Sequence, residues 1–201
     1  MNYWIEEIEQ STDVHIKMLR YRHDVSHDID ISEFSKVDRE VYLSYGSKKR
    51  QLEFYFTRLL WLSFKKGGKI TYKTSGKPLI KNGFISISHS HDCIAIAYSK
   101  KNEVGVDIEP ISNKIKRVKH KFSHPDENYT ELLDLTKSWC IKEAVYKLLD
   151  LFDIIFMENI LVENVDSPAN TIVELEGEVI RTKAQVIELP NDMILAYAIG
   201  N

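Results

Sequence analysis

Gly105-Val106-Asp107-Ile108-Glu109 places two carboxylates two residues apart, with Val104, Val106 and Ile108 alternating with Gly105, Asp107 and Glu109. A period of two is that of a strand. On a strand Asp107 and Glu109 share a face, about 6.6 Å apart at ~3.3 Å rise per residue. Carboxylates set side by side on a half-buried strand repel, and a positive group has to offset them. A hard divalent cation is the simplest such group. The competing reading is a solvated strand end carrying two surface acids. Gly105, on the same face, removes a side chain and admits a close neighbour.

A second set of spaced groups lies in Thr136–Asp150, TKSWCIKEAVYKLLD. Ile141, Ala144, Val145, Leu148 and Leu149 form the apolar stripe of a helix, while Trp139, Glu143 and Lys147 form an i, i+4, i+8 row on another face. An exposed Glu–Lys pair contributes only about 0.2–0.5 kcal/mol. The tryptophan in the same row calls for a second contact surface, an interface or a cleft.

Cationic groups punctuate the first half. Ser47–Lys66 reads as a helix with Leu52, Tyr55, Phe56, Leu59 and Leu60 as its stripe, Ser47 as N-cap and Gly67-Gly68 as stop. Its first turn carries Lys48, Lys49 and Arg50, which oppose the helix dipole; they are either a solvated start or an anion cradle. Ser75-Gly76-Lys77-Pro78 is a turn presenting a lysine. Phe84–Ser88 and Cys93–Ser99 read as a hairpin whose loop, Ser88-His89-Ser90-His91-Asp92, offers donors near the carboxylate pair. His23 and His27 have an i, i+4 spacing, but Asp24 and Asp28 beside them favour a solvated polar face over a metal site.

These groups need elements to position them, and composition bounds those elements. The chain has 201 residues, 43% hydrophobic and 28% charged, which fits one domain or two small halves packed together. A net charge of −3 argues against a general nucleic-acid scaffold. The basic run Ser112–Lys121 lacks interleaved aromatics, so it reads as a solvated helix or a landing site for an acidic partner. Phe122–Glu127 reads as the start of a helix, with Ser123 as cap and Pro125 in its first turn. Cys93 and Cys140 sit in apolar periodic segments as reduced core residues. MNYWIEEIEQ has no signal-peptide core, and no apolar run is long enough to span a bilayer, so a cytoplasmic location is expected.

Short strands are predicted at Tyr3-Trp4-Ile5 and Ile70–Lys73, and in the tail at Ile160–Asn164, Thr171–Leu175, Gln185–Leu189 and Met193–Ile199. His91–Ala97 and Asn191–Tyr197 echo one another at an offset of 100. The expected fold is therefore α+β: two pseudo-repeated halves, 1–101 and 102–201, with the active site in the cleft between them.

Taken in order, Gly76-Lys77-Pro78, Ser88-His89-Ser90, Gly105–Glu109 and Trp139–Ala144 with Lys147 resemble the 4′-phosphopantetheinyl transferase superfamily, in its larger two-half, surfactin-synthetase-activating type. Glu53-Phe54 with Arg58 is similar to that type's first helix. The resemblance spans roughly residues 45–150. It implies transfer of the phosphopantetheine arm of coenzyme A to a serine of an apo acyl, peptidyl or aryl carrier protein, with adenosine 3′,5′-bisphosphate leaving. It implies Mg²⁺ (or Mn²⁺) on Asp107, Glu109 and Glu143, and Lys147 on the pyrophosphate. Lys77, Ser88 and His89 become coenzyme A phosphate contacts, and Lys49 or Arg50 partners of the 3′-phosphate. A monomer without nucleic-acid or membrane partners is expected. The different-class alternative is a coenzyme A-binding paralogue that serves as a binding module. The chain departs from the family pattern at Ser86, where Asn is usual, and at Leu148–Phe152, where a glycine-containing turn is usual. The acid after Phe-Ser falls on Asp126 or Glu127, which stay alternatives. Three clustered carboxylates also predict that removing Asp107 leaves the metal-free fold unharmed or slightly more stable.

Overall fold

Alternation of apolar and polar residues organises the chain into two antiparallel sheets, each with a long helix on its outer face. A computed structural model describes residues 3–22, 29–66, 68–151 and 153–200. The elements run β1 (Tyr3–Gln10), β2 (His15–Tyr21), α1 (Lys36–Ser44), α2 (Lys48–Ser63), β3 (Thr71–Tyr72), β4 (Pro78–Leu79), β5 (Phe84–Ser90), β6 (Cys93–Ser99) and β7 (Val104–Pro110). They continue with α3 (Lys114–Val118), a 3₁₀ turn at Lys119–Lys121, α4 (Leu132–Leu149), α5 (Phe156–Asn159), β8 (Ile160–Val162), β9 (Ala169–Leu175), β10 (Glu178–Leu189) and β11 (Met193–Ile199). The first sheet has the order β1-β2-β6-β5 and the second β7-β11-β10-β9-β8; β3 and β4 form a small separate ribbon.

Period-two patterning sends successive residues to opposite faces. Ile94, Ile96 and Tyr98 of β6 join Phe56, Leu60 and Trp61 of α2 in one core. Cys93, Ala95 and Ala97 face the other way and meet Val104, Val106 and Ile108 of β7 and Leu195 of β11, which seals the two sheets together. Ile194, Ala196 and Ala198 turn outward to Cys140, Ile141, Ala144 and Val145 of α4. The order of layers is thus α2, first sheet, second sheet, α4. Both cysteines are buried and unbridged. No described helix is long and apolar enough to cross a membrane.

The fold is α+β, and several local expectations change. Ser88, His89 and Ser90 are on β5, not in a loop; the turn is only His91-Asp92, with His91 at φ 51°. α2 stops at Ser63, before Gly67-Gly68, and Ser47 makes no side-chain capping bond. Phe122–Glu127 is not helical. α4 begins at Leu132, a turn ahead of the expected Thr136. β10 runs twelve residues where only Gln185–Leu189 alternates clearly, because its exposed first half needs no apolar side chains to pair with β9. His23 and His27 lie outside the described residues.

Candidate active site

β7 and α4 meet at Gly105. A Cβ there would overlap the Ala144 carbonyl oxygen and crowd the Leu148 nitrogen, so the missing side chain is what seats the helix on the strand. Seated this closely, Lys147 of α4 reaches β7: Nζ lies 2.7 Å from Asp107 Oδ1 and donates to the Val106 carbonyl at 3.1 Å. The positive group that the carboxylates require is thus supplied first by the protein.

From the other side β5 meets β7 through a row of serines, not through a backbone ladder. Ser86 Oγ accepts from the Val106 N–H at 3.0 Å, Ser88 donates to Asp107 Oδ1 at 2.7 Å, and Ser90 donates to Glu109 Oε2 at 2.6 Å. Ser86 is therefore part of the seam. Asp107 is 3% exposed, and its second oxygen, Oδ2, is buried without a hydrogen-bond partner. A buried carboxylate oxygen left without a partner is costly.

The charges here are mutually tuned. Burial pushes the Glu143 carboxyl up to about 7; Asp107 and Glu109 push the same way, and Lys147 opposes them. Burial also raises Glu109, against the Ser90 hydrogen bond that holds it down. Burial works to lower the Lys147 pKa, but attraction to Asp107 and Glu143 wins and raises it, so the ammonium stays charged.

His89 keeps an exposed surface, but the protein crowded around its ring desolvates it and lowers its pKa. Its Nε2 is 2.8 Å from Thr57 Oγ1, whose hydroxyl donates to the Glu53 carbonyl at 2.6 Å. With that proton committed, Thr57 accepts from Nε2–H, and neutral His89 keeps an acceptor at Nδ1.

Two recesses flank the serine row. One, of about 320 Å³, lies between the turn bearing Gly76 and Lys77, Ser86 of β5, and Lys147 of α4. The other, of about 580 Å³, is bordered by Lys49, Ser90, Glu109, Lys114 and Trp139. Trp139 packs on Phe122 and Phe156, with centroids 5.2 and 5.7 Å away, and so supplies the second contact surface its place in the row called for. Lys77 donates to Glu103 at 2.7 Å and to the Leu148 carbonyl at 3.2 Å. Lys49 and Arg50 lie 3.8 and 2.8 Å from Glu53, which answers their charge one turn along the helix. Arg58 is spent within the first half, on Asp38 at 2.9 Å and over the Phe54 ring.

Among the described residues, no three His, Cys, Asp or Glu side chains are gathered closely enough to hold a metal ion, so Asp107, Glu109 and Glu143 do not form a ready-made three-carboxylate site. Mg²⁺ does not require one: it takes one or two carboxylates and completes its shell with water and substrate phosphate. The all-oxygen donor set and the unpartnered Asp107 Oδ2 fit such an ion.

Sequence reasoning missed one pair. Lys142 is fully buried, 2.8 Å from Glu127 Oε1, and donates to the Phe122 and Ile160 carbonyls at 2.6 Å each. Glu127 also accepts from the Val162 N–H at 2.8 Å. Lys142 lies one turn from Ser138 and Val145 and two from Leu135, all buried, which marks its side of α4 as buried. Of the two acids after Phe-Ser, Glu127 is thus locked inside, whereas the Asp126 side chain is 77% exposed beside His124.

No curated protein matches this chain. Residues 103–198, the segment that holds β7, α4 and β11 and with them Asp107, Glu109, Glu143 and Lys147, match the family model of the 4′-phosphopantetheinyl transferase superfamily.

Proposed function

We propose that this protein transfers the 4′-phosphopantetheine arm of coenzyme A to a serine of an apo carrier protein and releases adenosine 3′,5′-bisphosphate. The observation that carries the reading is the buried Asp107, held by Ser88 and Lys147 with one oxygen unpartnered, inside the segment that matches the superfamily. Phosphoryl transfer asks a protein for positioning and charge neutralisation more than for covalent chemistry. Asp107, Glu109 and Glu143 would hold a divalent ion, Mg²⁺ or Mn²⁺, which when bound neutralises the pyrophosphate. Lys147, kept charged by Asp107, faces the leaving phosphate and offsets its growing charge. Lys77 lies on the far wall of the same recess; Ser88 and His89 follow on β5 and reach a phosphate by turning to it the protons they now give to Asp107 and Thr57.

Lys49 or Arg50 takes the 3′-phosphate, drawn from Glu53 by the larger charge. The recesses on either side of the serine row suit a long ligand bound across its middle. All strands of the first sheet end by Ser99 and all of the second begin at Val104 or later, which supports halves at 1–101 and 102–201 and the two-half type of transferase. We read the molecule as a cytoplasmic monomer.

Intact-mass analysis of a panel of apo acyl, peptidyl and aryl carrier proteins, incubated with this protein, coenzyme A and Mg²⁺, tests the proposal. Addition of one phosphopantetheine arm, abolished by excess chelator, is the expected result. Coenzyme A binding without transfer to any carrier would make the protein a binding module. Free phosphopantetheine formed without a carrier would make it a hydrolase.

A further inference from the structure

Asp150 ends α4 in the left-handed region, φ 50° and ψ 38°, with its N–H on the Tyr146 carbonyl at 3.0 Å. Glycine is the usual occupant of such a position, and aspartate is one of the few other residues that enter it readily. Unlike glycine, Asp150 brings a carboxylate, and that carboxylate is used. It accepts from Lys73 Nζ at 2.7 Å and from Ser75 Oγ at 3.3 Å. Both donors belong to the tight turn between β3 and β4, closed by Lys73 N–H to the Lys77 carbonyl and Gly76 N–H to the Lys73 carbonyl, each 2.9 Å. Lys77, at the end of the turn, donates to the Leu148 carbonyl, one of the helix-terminal oxygens that lack an intrahelical partner. An otherwise exposed ribbon is thereby fastened to the end of α4 by side chains.

The turn forms one wall of the 320 Å³ recess and Lys147 another, so Asp150 fixes the gap between Lys77 and Lys147. We propose that Asp150 is a positioning residue: it holds the Lys73–Lys77 turn so that Lys77 and Lys147 meet the ligand's phosphates from opposite walls. The inference rests on the coenzyme A reading above and names a residue at the place where the family pattern has a glycine-containing turn. Lys73 is 45% exposed, and an ion pair so open to water adds little to global stability. Its effect is local. A free turn would have to be ordered when the ligand binds, and a fastened one is ordered beforehand.

Asp150→Asn keeps the size and the left-handed preference of the residue while removing its charge; Lys73→Met breaks the same pair from the other side. In the ligand-free protein both variants should exchange the amide hydrogens of residues 73–77 faster, with the thermal midpoint little moved. By calorimetry both should bind coenzyme A about tenfold more weakly, and the double variant no more weakly than either single one. Exchange at 73–77 unchanged in both, an unaltered dissociation constant, or an affinity loss that tracks a fall in thermal midpoint would each overturn the assignment. A wild-type protein that does not bind coenzyme A would overturn the functional reading with it. Wild-type binding with unaltered variants removes Asp150 alone.

Discussion

Asp107 shares one oxygen between Ser88 and Lys147, and this changes where repulsion falls in the site. Sequence reasoning expects three facing anions of equal standing, and hence a metal-free fold unharmed by loss of Asp107. In the structure Asp107 is compensated, and its removal would strip Lys147 and Ser88 of a partner. The uncompensated member is Glu143, with its carboxyl near 7 against 4.5 in the unfolded chain. The folded protein therefore holds a proton that the unfolded chain has released between these values. Stability from this group is highest below pH 4.5 and declines as pH rises through about 7, by on the order of 3 kcal/mol. Glu143→Gln should remove that decline. In chelator-treated samples the variant should resist urea better than wild type at pH 8, with the gap closing towards pH 4.5. Parallel pH profiles would show that Glu143 is not the strained carboxyl.

At the scale of elements, the contact between β7 and α4 is set by Gly105. Gly105→Ala pushes a methyl group against helix backbone, which cannot rotate aside as a side chain can. A loss of about 1–3 kcal/mol is expected from overpacking. Transfer should fall further than stability alone explains, because the displaced helix carries Glu143 and Lys147 away from Asp107. Activity that follows only the folded fraction in a melting series would contradict this. Both elements were legible in the sequence because each has a clean period: Val104, Val106 and Ile108 for the strand, Ile141, Ala144, Val145 and Leu148 for the helix. The serine row was legible only in part: Ser88 and Ser90 read as donors near the carboxylates, but in a loop, and Ser86 was not placed with them. Ser86, Ser88 and Ser90 face partners about twenty residues away, and their short polar side chains carry no periodic hydrophobic signal. Lys142 was hidden for the opposite reason. A lysine on a helix reads as solvent-facing, and its buried partners outside the helix, Glu127 and the Phe122 and Ile160 carbonyls, are what make its position tolerable. The glycine pair after α2 misled because Lys65 takes the positive φ (53°) first.

At the scale of the molecule, the sheets depend on each other. Ile16, Met18 and Ala95 of one and Val106, Ile108 and Leu195 of the other form a single core. Fragments 1–101 and 102–201 made separately should each expose that face and melt without a cooperative transition, as followed by circular dichroism. Cooperative melting of either fragment alone would mean that the shared core is dispensable.

The same arrangement decides which sheet borders meet solvent. β5 and β7, the inner borders, lie against each other through the serine row, which leaves β1 and β8 outermost. β8 has only three residues. β1 carries Glu6, Glu7 and Glu9 and breaks register with β2 between Glu7 and Glu9. A short border and a charged, irregular one are both poor templates for a strand from a second molecule. The joint that fastens Asp107 and Glu109 to β5 also hides the two inner borders from strand addition, so resistance to aggregation is tied to the integrity of the serine row.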